Sequence, residues 1–104
     1  MRGTSYMMKG EYEKALTDLD EAIAIAIRKQ HSRMQDLYVE RARIRKHLND
    51  VNGAIDDYTR ALLADSSSMR SVYFRERGQL FKEQGMLSRA NDDFRSAATI
   101  DGVK

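Results

Sequence analysis

At 104 residues, 41% hydrophobic and 33% charged, the chain has the size and composition of one small globular domain rather than of a disordered segment. It has no Cys, which excludes a disulfide framework and a thiolate metal site, and no apolar run long enough to cross a membrane. A net charge of only +2 makes no bulk case for nucleic-acid binding, and the absence of Pro favours helix.

The opening stretch, MRGTSYMMKG, has room for about two helical turns before Gly10, which reads as a helix-ending glycine. It lacks the apolar core of a signal peptide, so a cytoplasmic setting is the default expectation. A second helix is predicted from Tyr12, with its apolar stripe at Ala15, Leu19, Ala22, Ile23, Ala26 and Ile27. The stripe runs through AIAIAI, which alternates with period two as a strand would. A lone strand has no partner to pair with, so this stretch reads as the extended end of the helix, packed on both its Ile face and its Ala face. A turn is placed near residues 30–32. Further helices are predicted over residues 34–48, from Val51, over 69–84 and over 87–100. The serines of SSSM at 66–69 supply N-cap hydroxyls for the stretch at 69–84.

Three segments repeat: GEYEKALTDLDEAI, NDVNGAIDDYTRAL and GMLSRANDDFRSAA. A small anchor, Ala15, Ala54 or Ala90, is followed four residues later by Leu19, Tyr58 or Phe94 and seven later by Ala22, Ala61 or Ala97. These offsets share one helix face. Twelve residues before the anchor stands Gly3, Ala42 or Gly78, and five before it Gly10, Asn49 or Gly85. Each unit therefore reads as helix, tight turn, helix, with units at about 1–31, 32–67 and 68–104. Thirteen residues before the anchor all three units carry an Arg (Arg2, Arg41, Arg77), and three after it an Asp (Asp18, Asp57, Asp93). A ladder of Arg–Asp pairs between packed helices is the reading, with a structural role in fixing the register of the units.

Together these columns resemble the tetratricopeptide repeat family, whose pattern sets an aromatic, Leu-Gly, Tyr, Ala, Phe and Ala over about 34 residues. Tyr38 and Phe74 match the first aromatic, Gly3, Ala42 and Gly78 the Gly, and Tyr6 and Phe81 the Tyr; the two Ala columns match in every unit. Arg45 stands where an aromatic is expected, the closing Pro is replaced by DSSS and DGVK, and the anchors are spaced 39 and 36 residues apart. The resemblance implies an all-α fold, a right-handed superhelical array of antiparallel helix pairs (an α-solenoid), here a fragment of a longer array. It also implies a non-enzymatic scaffold for protein–protein interaction, its ligand lying in a concave groove lined by the first helix of each unit. The matching positions are Met7, Met8, Val39, Arg43, Lys46, His47, Arg75, Gln79 and Lys82. Their charge and methionines fit an acidic peptide with one apolar anchor. The Lys and Asn clamp by which some family members grip chaperone tails is not matched by Thr4, Glu40, Val72 or Glu76.

No residue pattern calls for an enzyme, a metal, a cofactor or a small-molecule substrate. The pairs Asp56–Asp57 and Asp92–Asp93 diverge on a helix and read as first-turn charges suited to the helix dipole. His31 and His47 stand alone, near a turn and a helix end. Two other roles remain open. One is a purely structural or self-associating segment, its open terminal face offering Tyr73, Leu80, Leu87, Ala98 and Ile100. The other is RNA or anionic-surface binding through the basic run RARIRKH at residues 41–47.

Overall fold

The computed structural model describes the backbone of residues 2–29, 34–64 and 67–102, and the side chains among them from Gly10 onward. These residues form five helices and no strand: α1 (Arg2–Arg28), α2 (Met34–His47), α3 (Val51–Ala64), α4 (Arg70–Glu83) and α5 (Leu87–Asp101). Each packs against its neighbours in sequence.

The α2–α3 and α4–α5 connections are built alike. Asn49 and Gly85 take the left-handed conformation, with φ of 65° and 79°. At the first, the Asp50 N–H donates to Arg45 O at 2.8 Å and the Asn49 N–H to Lys46 O at 3.0 Å. At the second, the Met86 N–H donates to Phe81 O at 2.9 Å and the Gly85 N–H to Lys82 O at 3.0 Å. This is the double hydrogen bond of a Schellman motif, which satisfies carbonyls that a helix end would otherwise leave open. Asp50 also caps α3, its Oδ1 accepting the Gly53 N–H at 3.0 Å. The cap expected from SSSM is different in form. Met69 is the N-cap of α4 and makes no side-chain cap bond, while Ser67 Oγ accepts the Met69 N–H at 3.2 Å in the preceding turn.

The core lies between α2, α3 and α4, where Val39, Ala42, Ala54, Tyr58, Ala61, Leu62, Tyr73 and Leu80 cluster. Ala54, Ala61, Ala90 and Ala97 are all buried, so the small columns lie where helices approach closely. Gly78 has the same role in α4. A Cβ there would meet the Phe94 ring at 2.9 Å and the Asp93 Cβ at 3.1 Å.

The first unit departs from the predicted helix, turn, helix. Gly10 lies inside α1, which runs unbroken for 27 residues, about 40 Å. Its φ is not left-handed. Two helical turns precede it, and the helix continues through it without a break. AIAIAI is helical and packs on one face only: Ile23 and Ala26 are buried, whereas Ile25 and Ile27 are exposed. Period two in sequence simply places alternate residues on opposite sides of a 3.6-residue turn, and the core takes Ile23 and Ala26, three apart. The turn near residues 30–32, with His31, lies outside the described residues.

Candidate functional site

Two Arg–Asp forks hold the helix pairs. Arg41 on α2 donates from Nε to Asp57 Oδ2 at 2.9 Å and from Nη2 to Oδ1 at 2.7 Å. Arg77 on α4 meets Asp93 on α5 with the same atoms at the same distances. Asp57 is fully buried and Asp93 nearly so. Both acidic pairs start in the second turn of their helices rather than the first, so one member of each points inward to a fork while Asp56 and Asp92 stay exposed. The bidentate geometry aligns both hydrogen bonds with charge, the strongest form such a pair takes.

The third nitrogen of each Arg reaches the preceding helix. Arg41 Nη1 donates to Asp20 Oδ1 on α1 at 3.0 Å, and Arg77 Nη1 donates to Thr59 Oγ1 on α3 at 3.0 Å. Asp20 and Thr59 occupy one register position, five residues after Ala15 and Ala54. Each guanidinium also lies over the aromatic three residues before it, Arg41 over Tyr38 at 5.7 Å and Arg77 over Phe74 at 5.6 Å. Sequence reasoning found the Arg and Asp columns but missed the column of Asp20 and Thr59. The repeated spacing Tyr38-x-x-Arg41 and Phe74-x-x-Arg77 was the available signal for the stacking.

Arg45 fills the aromatic position of its unit with a second cation. It donates from Nη1 to Asp57 Oδ2 at 3.0 Å. In the last unit the same position is Phe81, with the Arg77 guanidinium 5.6 Å from its ring centroid. Asp57 thus accepts from two guanidinium groups where Asp93 accepts from one. In the first unit Asp18 is exposed and, among the described residues, has no cation within 4.0 Å; the Arg2 side chain lies outside the described residues.

The residues expected to line a groove separate into three groups. Val39 is mostly buried in the core and reaches the surface only at the wall of a cleft. Arg43 is tied to Glu76, donating from Nη2 to Oε2 at 3.1 Å and from Nε to Oε1 at 3.3 Å. Arg75 is tied to Asp101, whose carboxyl is held below its ordinary pKa by hydrogen bonds from Ser71 and Arg75. Lys46, Gln79 and Lys82 are exposed, and His47 stacks on Tyr12 with centroids 4.8 Å apart. Met7 and Met8 fall on the straight N-terminal part of α1, and their side chains are not described. Since Arg41 and Arg45 are spent on Asp57, the basic run at 41–47 is not a free cationic patch. Of the proposed terminal apolar face, Tyr73 and Leu80 are buried and Leu87 is exposed.

Two clefts flank α2. One, of about 530 Å³, lies against α1 between Tyr12, Ala15, Leu19, Ile44 and His47, with Asp18 at its wall. The other, of about 320 Å³, faces α4 and is lined by Asp36, Val39, Met69 and Tyr73. Glu40 and Arg43 border both. Among the described residues no cluster of His, Asp and Glu is arranged to hold a metal ion, and no helix is long and apolar enough to cross a membrane. The chain matches no family model and no curated protein.

Proposed function

We propose that the chain is a non-enzymatic scaffold of the tetratricopeptide type, its helices stacked as antiparallel pairs, that binds a segment of another protein along α2 and α4. The observation that carries this reading is the pair of clefts on either side of one ridge of α2, where apolar floors meet a polar rim. The rigid forks support it, because the one on Asp57 fixes α2 on α3 and the one on Asp93 fixes α4 on α5 through buried carboxylates. The ligand is an extended or helical segment with one apolar anchor and acidic flanks. Its acidity is matched by Lys46 and Lys82, since Arg43 and Arg75 are already paired within the chain.

Reversing both lysines, Lys46→Glu with Lys82→Glu, tests this. Each exposed charge contact contributes up to about 1 kcal/mol, so affinity for an acidic peptide should fall roughly tenfold or more, and less so in high salt. Titration calorimetry at two salt concentrations reads both effects. A saturable acidic ligand whose affinity ignores the reversal would contradict the groove.

A further inference from the structure

Tyr58 carries an oxygen that the fold does not use. Its ring fills a register position that Leu19 and Phe94 fill in the other two units, so packing there requires an apolar body and not a hydroxyl. The side chain is nevertheless fully buried, and its hydroxyl has no hydrogen-bond partner among the described residues. Such a group is unfavourable in a folded core, and a function is one reason for a protein to keep it.

The charged groups beside that hydroxyl are Arg43 of α2 and Glu76 of α4. They pair with each other across the two helices, Nη2 to Oε2 at 3.1 Å and Nε to Oε1 at 3.3 Å. This pair is looser than the forks on Asp57 and Asp93, which close at 2.7 and 2.9 Å. It is also wetter, since the Arg43 side chain is 52% exposed against 13% for Arg41. An ion pair this open to water adds little to stability and can exchange its partner. Arg43 in turn borders the clefts on both sides of α2.

We propose that the Arg43–Glu76 pair is a latch over a carboxylate site: an acidic side chain of the partner segment takes the place of Glu76 on Arg43, and the Tyr58 hydroxyl donates to it. The inference rests on the binding of an acidic segment along α2 and α4, and it assigns the groups that read the acid. In the closed form Glu76 meets Arg43 and leaves the hydroxyl unmet. In the bound form both donors meet one carboxylate, and Glu76 turns outward to the water that it already touches. An uncharged segment cannot displace Glu76, so the latch selects acidic segments over neutral ones. Because Glu76 competes with the ligand, affinity is reduced by the fraction of molecules in which the latch is closed.

The probe is a peptide with glutamates on both sides of a single leucine, acetylated and amidated at its ends, titrated calorimetrically into the whole chain. Glu76→Gln should bind it more tightly than the unaltered protein, by about threefold or more. Glu40→Gln removes the same charge from the rim of both clefts without touching the Arg43 pair, and should gain clearly less. Tyr58→Phe should bind the peptide more weakly, by about threefold or more, with a ligand-free melting temperature that is no lower. The loss should persist in Tyr58→Phe with Glu76→Gln, because the hydroxyl meets the ligand and not Glu76. Unchanged affinity in Tyr58→Phe, no gain in Glu76→Gln, or an equal gain in Glu40→Gln would overturn the latch. The groove would still stand if Lys46→Glu with Lys82→Glu weakened the same binding. A lower ligand-free melting temperature in Tyr58→Phe would place the hydroxyl in a hydrogen bond of the folded chain and overturn the latch as well. No binding to either the unaltered protein or Glu76→Gln would overturn latch and groove together.

Discussion

Asp57→Ala is expected to destabilise the fold by about 3–5 kcal/mol, the range for removing one partner from a buried ion pair. The carboxylate is fully buried and accepts from both Arg41 and Arg45, whose side chains are only 13% and 24% exposed. Its loss leaves two desolvated guanidinium groups. Arg41 keeps Asp20, and Arg45 keeps Asp50 at 3.8 Å and the Gly53 carbonyl at 3.5 Å. Against a total stability of about 5–15 kcal/mol for a domain of this size, the change should be evident as a lower urea midpoint. Asp56→Ala, one residue away and exposed, should stay within about 0.5 kcal/mol. Equal effects at the two positions would show that the fork is not what holds α2 on α3.

Tyr58 offers a contrast between shape and polarity at one position. It is fully buried at the centre of the α2–α3–α4 core. Tyr58→Ala removes the ring and leaves a cavity, for which about 3–5 kcal/mol is the expected loss. The hydroxyl is a different matter. It has no hydrogen-bond partner among the described residues, although Arg43 and Glu76 lie nearby, and burial pushes its pKa up, so it stays neutral. An unpartnered buried polar group is unfavourable. Tyr58→Phe should therefore be neutral or stabilising, by up to about 1 kcal/mol. A loss of several kcal/mol in Tyr58→Phe, measured by the same melts, would mean that the hydroxyl is satisfied in solution.

Much of the fold was legible because the repeat writes each contact more than once. Ala54 and Ala90 repeat, as do Asp57 and Asp93, so the close-packed columns and the Arg–Asp columns could be read from spacing alone. The turns at Asn49 and Gly85 were legible because left-handed backbone favours Asn and Gly. Gly10 misled for the same reason: glycine permits a turn without enforcing one, and the flanking residues also propagate helix. AIAIAI misled because a composition apolar on every side does not say which side packs. The groove was least legible. Charge columns give the sign of a side chain but not its partner, and Glu76 and Asp101, which tie up Arg43 and Arg75, each come from a different helix.

The most direct test of the binding surface is a map of amide chemical shifts on titrating a panel of acidic peptides, each carrying a single Leu or Phe. The account predicts saturable shifts concentrated at Glu40, Arg43, Lys46 and His47 on α2 and at Arg75, Gln79 and Lys82 on α4, with α5 little affected beyond Asp101. Shifts that never saturate, or that centre on the outer face of α5, would contradict it.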